Sequence, residues 1–337
     1  MIALLLALAV TKQTVCFVTT SDERKEVEAV CPLEGTRFKA YEVVATNPWG
    51  GRDYDNCPHA LKTTPLEFWV WVCPTCGFAG KKRDFETKLT DEEKRALSAQ
   101  LKPAVAIPKG AKQTDIPGHV KFDLLAQVAR IRKAPPEHAA VAWLGASWSA
   151  RQQGAVDFAD FDEWEQLKGT YGLNKTPMEI DLKKNRTDYD LEAAKRVEKD
   201  LEAKKYERGV NRVLARYLVT FLHRKHGENA DGLCWLAEVE KVKGENSIVD
   251  AAAVKMRASI DLERVYQRKA IDAYVAAIES KTLERRAPGV AYMIGELFRR
   301  LGERDSALSW YQTALEKAEG DDFKKRISDQ KARAEKP

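Results

Sequence analysis

Trp69-Val70-Trp71-Val72-Cys73-Pro74-Thr75-Cys76-Gly77-Phe78 is the stretch on which the reading of this chain turns. An apolar run rich in strand formers leads straight into Cys-Pro-x-Cys-Gly. Two thiols two residues apart share one tight turn, and the glycine behind them can take a positive φ. That is the form of a knuckle gripping one edge of a metal ion, half of a structural zinc site. Such a site takes four ligands, so the other half has to come from elsewhere in the chain. The remaining cysteines are Cys16, Cys31, Cys57 and Cys234.

Working outward, Leu66 to Val72 alternates. Leu66, Phe68, Val70 and Val72 share one face and Glu67, Trp69 and Trp71 the other, so a strand running into Cys73 is expected. Cys31-Pro32-Leu33-Glu34-Gly35 has the outline of a second knuckle, with Glu34 where the second Cys would stand. Phe38 to Ala45 reads as a strand. Residues 19–29 are polar and read as a linker or helix start, and Asn47-Pro48-Trp49-Gly50-Gly51 reads as a turn. Thr90-Asp91-Glu92-Glu93 is a capping box, in which hydroxyl and carboxylate satisfy each other's backbone donors. A helix is expected from there to about Leu101, with Pro103 ending it. The prolines and glycine between 102 and 117 mark a linker, and the domain boundary is placed there.

From Gly118 onward the period is helical. Val120, Leu124, Leu125, Val128 and Ile131 line one helix; Ala139, Ala142, Trp143, Ala146 and Ala150 line the next. Asp188 to Lys205 and Tyr206 to His223 read as two more, while 152–186 is irregular. Ile294-Gly295, Phe298, Gly302, Ala307, Tyr311 and Ala314 fall at the spacing of a tetratricopeptide helix pair. Ala270, Tyr274 and Ala277 repeat the second-helix spacing upstream. The charged tail after Asp321 reads as a solvated capping helix. The fold class expected is α+β: a small zinc-ribbon-like β module, then a mostly α-helical, tetratricopeptide-like half. In residue terms this gives an N-terminal arm or signal over 1–24, the Cys-rich module with its capping helix over 25–101, the linker over 102–117, and the helical domain over 118–337.

The 337 residues carry 56 basic and 51 acidic side chains, a net charge of +5. That near balance is not the footprint of a dedicated nucleic-acid binder. Six cysteines are too few for a disulfide scaffold. The apolar run Ile2 to Val10 is too short to span a bilayer. It has the length of a signal-peptide core, and Ala7-Leu8-Ala9 offers a cleavage site, but no Lys or Arg precedes it. Export to the periplasm or beyond and a cytoplasmic address both stay open, and no transmembrane span is expected in the mature chain.

The module resembles an uncharacterised bacterial family, domain of unknown function twenty-two twenty-five. The residues that carry the resemblance are Cys31-Pro32-Leu33-Glu34-Gly35, Asp53-Tyr54-Asp55-Asn56-Cys57, Trp71-Val72-Cys73-Pro74-Thr75-Cys76-Gly77-Phe78-Ala79 and Asp84-Phe85. Glu34 departs from the Cys-Pro-x-Cys-Gly start that the family shows. The resemblance implies a helical second half and supplies an architecture, not a reaction.

Cys31, Cys57, Cys73 and Cys76 match the ligand count of a closed structural zinc site. Zinc binding would contribute folding energy of about 10 kcal/mol or more to so small a module. The bland alternative is a mix of disulfide and free thiols. If Glu34 or His59 joined three cysteines instead, an open position could activate water. Gly77 after the second Cys favours a knuckle over a redox pair, which would sit at a helix N-terminus. Asp53 and Asp55 read as a turn that caps backbone amides. Lys81-Lys82-Arg83, beside Trp69 and Trp71, reads as a solvated rim. His223 and His226 read as complements to a helix C-terminal dipole. Cys234 reads as a small buried apolar residue, and Trp143, Trp148 and Trp235 as core. No phosphate loop, dinucleotide fingerprint or nucleophile elbow is found. The expected function is a non-enzymatic zinc-binding interaction protein that takes a protein or peptide partner on its helices. The alternatives are a metal-dependent enzyme at the Cys cluster and nucleic-acid binding through the ribbon.

Overall fold

The structure, a computed structural model, describes residues 24–44, 50–60, 65–103, 105–108, 110–158, 160–175, 186–207 and 209–335. The N-terminal apolar run, Cys16 and the turn residues 47–49 lie outside the described residues.

The protein is α+β, with a small β module followed by helices. Strands β1 (Arg24–Val30) and β2 (Arg37–Val43) form an antiparallel hairpin, with Val30 opposite Arg37 and Arg24 opposite Val43. The stretch expected as a linker is therefore β1. Its charges hid it: Glu28 pairs with Arg37 at 2.9 Å and Glu26 with Lys39 at 2.7 Å, all on the exposed face of the hairpin. A second, shorter pair joins β3 (Trp71–Val72) to β4 (Ala79–Gly80). The strand expected from Leu66 is mostly absent, because Pro65–Phe68 forms a 3-10 turn. Its alternation survives in burial: Leu66, Phe68, Val70 and Val72 are inside, and Glu67 and Trp69 are exposed. Trp71 breaks the pattern by turning inward, where its Nε1 donates to the Tyr41 carbonyl at 2.9 Å. Two helices follow, α1 (Lys82–Glu86) and α2 (Asp91–Gln100). The capping box opens α2 as expected: the Glu93 amide donates to Thr90 Oγ1 at 3.2 Å, and the Thr90 amide to Glu93 Oε2 at 2.8 Å.

The helical body comprises α3 (Gly118–Ile131), α4 (Pro136–Gly154), α5 (Asp162–Thr170), α6 (Arg186–Glu202), α7 (Val210–Lys225), α8 (Asn229–Glu240), α9 (Ser247–Glu279), α10 (Ala287–Leu301), α11 (Arg304–Lys317) and α12 (Asp321–Ala334). Helix α4 packs on α3 and along α9; α7 packs between α6 and α8; α10, α11 and α12 pack in succession. Ala270, Tyr274 and Ala277 lie within the 33-residue α9, whose main neighbour is α4. At the C-terminal end Ala307, Tyr311 and Ala314 are fully buried. Gly295 lies so close to Tyr311 that a β-carbon there would come within 2.9 Å of the ring.

The segment 102–117 does not divide the core. Val70, Val72 and Ala79 of the β module share one hydrophobic cluster with Val120, Leu124, Trp143 and Ile271. Gln113 finishes the edge of β3 from within that segment: its Oε1 accepts from the Val72 amide at 2.9 Å and its Nε2 donates to the Val72 carbonyl at 2.6 Å.

A candidate metal centre and the buried network beside it

Each hairpin of the β module carries a knuckle, and the two have the same backbone plan. In the first, the Cys31 amide donates to the Thr36 carbonyl at 2.9 Å and the Gly35 amide to the Cys31 carbonyl at 2.8 Å. In the second, the Cys73 amide donates to the Phe78 carbonyl at 2.8 Å and the Gly77 amide to the Cys73 carbonyl at 2.9 Å. Gly35 and Gly77 close the turns with φ of +74° and +77°, a conformation that carries no penalty for glycine. Cys31 corresponds to Cys73, and Glu34 to Cys76.

This arrangement brings Cys31, Cys73 and Cys76 together, with their sulfurs within 4.8 Å of one another, and the group can hold a metal ion. Cys31 Sγ lies 3.5 Å from Cys76 Sγ. The thiols perturb each other strongly. Hydrogen bonds from Cys31 and Cys76 pull the Cys73 pKa down to about 2, while the contact with Cys73 pushes Cys31 up to about 11. Thiolates this close repel one another, and a divalent cation lets all three ionise.

Cys57, expected as the fourth ligand, is not grouped with them. It lies with Asp53 and His59 in a separate group deeper in the molecule. The reason is local. Residues 51–59 form a tight loop, held by the Asp53 amide on the Cys57 carbonyl at 3.0 Å and the His59 amide on the Gly51 carbonyl at 3.0 Å, with Asn56 at a φ of +64°. The loop points its side chains into the helical body rather than toward the knuckles. Glu34 is exposed, and His59 is 2.9 Å from Asp53 rather than beside the three thiols.

Asp55 caps its turn as expected, its Oδ1 accepting from the Cys57 amide at 3.2 Å, but neither Asp53 nor Asp55 serves the turn alone. Both are buried, and helices from along the whole chain converge on them. Arg151 of α4 donates to Asp53 Oδ2 at 2.8 Å and to Asp55 Oδ2 at 2.5 Å, and reaches Glu263 of α9 at 2.7 Å. Arg224 of α7 also pairs with Glu263. Thr187 of α6 donates to Asp53 Oδ1 at 3.1 Å. His226, just past α7, bridges Asp53 Oδ1 at 2.7 Å and Asp190 Oδ2 at 2.8 Å, so it does more than complement a helix dipole. Arg300 of α10 donates to Glu296 at 2.9 Å and to the His226 carbonyl at 2.6 Å. From α12, Arg326 donates to the Tyr54 carbonyl at 3.0 Å, and Arg333 to Asp188 at 2.7 Å. Burial works to raise the Asp53 carboxyl, but His59 and His226 beside it outweigh burial and hold it well below the usual carboxylate range. Burial pushes the Cys57 thiol well above its usual value, the opposite of an activated nucleophile.

Arg151, Arg224, Glu263, Glu296 and Arg300 were not singled out from the sequence. The available signal was their phase: each falls on the buried stripe of its helix, as Glu263 does three residues after Ile260. Cys234 is exposed rather than buried, and His223 pairs with Glu198 at 3.1 Å. Trp143 and Trp148 are core, Trp235 only partly so. No described helix is long and apolar enough to cross a membrane.

Fold and site together define an α+β protein whose small cysteine-bearing hairpin module can hold a metal ion against a helical body. The chain belongs to the family described as uncharacterized protein conserved in bacteria (DUF2225), whose model matches residues 25–261 and 256–336. No curated protein and no solved structure matches it.

Proposed function

We propose that this is a non-enzymatic interaction protein whose ribbon is held by a structural zinc ion on Cys31, Cys73 and Cys76. The convergence of these thiols on two like knuckles carries the reading, since thiolates at such a turn are the ligands zinc selects. Glu34 holds, in the sequence, the place a second cysteine would take in the first knuckle, and it stands exposed outside the group of three thiols. The partner, a protein or peptide, docks in the groove of about 870 Å³ between α3, α4 and α9. Trp143, Ile131 and Ala139 give the groove an apolar lining, and Asp123, Lys269 and Asp272 give it charges of both signs. Helix faces lined in this way suit an amphipathic segment.

Elemental analysis tests the metal. Cys73→Ser is expected to lose about one equivalent of zinc, and a chelator to lower the stability of the wild type. Zinc content unchanged by this substitution rules the reading out. The groove is tested with the full-length chain as bait: Asp272→Arg, on its exposed rim, is expected to abolish capture of any partner the wild type retains.

A further inference from the structure

The second group of metal-competent side chains lies on the loop that the buried network surrounds. A carboxylate oxygen of Asp53, the Sγ of Cys57 and a ring nitrogen of His59 all lie within 4.8 Å of one another. His59 Nε2 stands 2.9 Å from Asp53 Oδ2, within ion-pair reach, yet among the described residues this buried nitrogen has no hydrogen-bond partner. A buried ring nitrogen left in that state is costly. The same spacing suits two neighbouring corners of a coordination shell. With metal–ligand bonds of about 2.1 Å, such atoms stand roughly 3 to 3.5 Å apart.

The surroundings are those that orient metal ligands. Thr187 at 3.1 Å and His226 at 2.7 Å occupy Asp53 Oδ1, which leaves Oδ2 facing His59 and Arg151. Asp190 holds the far side of His226 at 2.8 Å. Gln152 Nε2 lies 3.6 Å from Cys57 Sγ, a donor placed for a thiolate.

We propose that Asp53, Cys57 and His59 form a second metal site, for a divalent transition-metal ion, and that its donor set selects zinc. One sulfur, one imidazole nitrogen and one carboxylate oxygen suit zinc, and the sulfur and the imidazole are foreign to magnesium or calcium. The ion displaces the thiol proton of Cys57 to solvent and binds the thiolate. Three protein ligands leave one tetrahedral position for water or an exogenous group, the pattern of zinc sites that do more than hold a fold. Of the two side chains in closest contact there, His59 reaches the surface, at 10% exposure, and Asp53 does not. The open position is therefore approached from the His59 side. The site shares no ligand with the ribbon and stands without it.

The test uses the full-length protein, stripped of metal and titrated with zinc and, as a spectroscopic probe, with cobalt. Wild type is expected to take up about two equivalents, and His59→Gln and Cys57→Ser about one each, with helical circular dichroism retained. In the Cys73→Ser/Cys76→Ser variant a cobalt–sulfur charge-transfer band is expected to persist and to vanish when Cys57→Ser is added. Uptake unchanged in both His59→Gln and Cys57→Ser overturns this site. A single wild-type equivalent lost only with Cys73→Ser also overturns it and leaves the ribbon standing, whereas one lost only with His59→Gln does the reverse. If the double variant fails to fold, zinc content of the two single-loop variants decides the matter.

Discussion

Arg151 is enclosed by Asp53, Asp55 and Glu263, with no exposed side-chain surface on any of the four. Removing one partner of a buried ionic group strands the others, which costs about 3–5 kcal/mol. Arg151→Met is expected to lose that much in urea unfolding, and a loss under 1 kcal/mol would show that the carboxylates relax into water. Glu228 gives a pH signature. Burial would raise its pKa, but Arg299, at 2.6 and 3.0 Å, outweighs burial and brings it down to about 2. A folded value below the unfolded one means stability that is complete above about pH 4.5 and lost as pH falls toward 2. The gap amounts to about 3 kcal/mol. The stability difference between wild type and Glu228→Gln is expected to shrink across that interval. Lys121 has the opposite sign. Burial lowers it to about 8, although its ammonium donates to the Glu67 carbonyl at 2.7 Å. Its charged form is penalised in the fold, so stability is expected to rise from about pH 8 to 10.5, and Lys121→Met to flatten that rise.

At the scale of elements, the approach of α10 to α11 depends on Gly295. A methyl there meets the Tyr311 ring at 2.9 Å, and the ring is fixed by its hydroxyl on Glu296 at 2.7 Å. Gly295→Ala is expected to cost about 1–3 kcal/mol by overpacking, despite the better helix propensity of alanine. Thermal melts that show stabilisation would refute the close fit. The capping box at Thr90 and the stripes of α3, α4 and α7 were legible because their determinants are local. Strand β1 was not, since a two-stranded hairpin with salt bridges on its open face shows the composition of a linker.

At the scale of the whole molecule, residues from the β module and from α3, α4, α9 and α10 share one hydrophobic cluster. The 53–59 loop is held at the same time by α4, α6 and α12. The metal-loaded protein is therefore expected to unfold in one calorimetric transition, with no separate melting of a module ending near residue 101. Deletion of α12 removes Arg326 and Arg333 from the Tyr54 loop. It is expected to lower the melting temperature and to open the loop to limited proteolysis.

The sequence alone determined what near neighbours determine: the two knuckles, the capping box, the helical periods and the family to which they belong. It did not tell which cysteines meet. Cys31, Cys73 and Cys76 converge because two hairpins of like plan face each other, and nothing in the spacing separates that outcome from one that includes Cys57. The tertiary structure decided that, and it alone assembled the buried network. A charge on a helix stripe reads as an error in a hydrophobic pattern until its counter-charge, contributed by a loop or helix far along the chain, is packed against it.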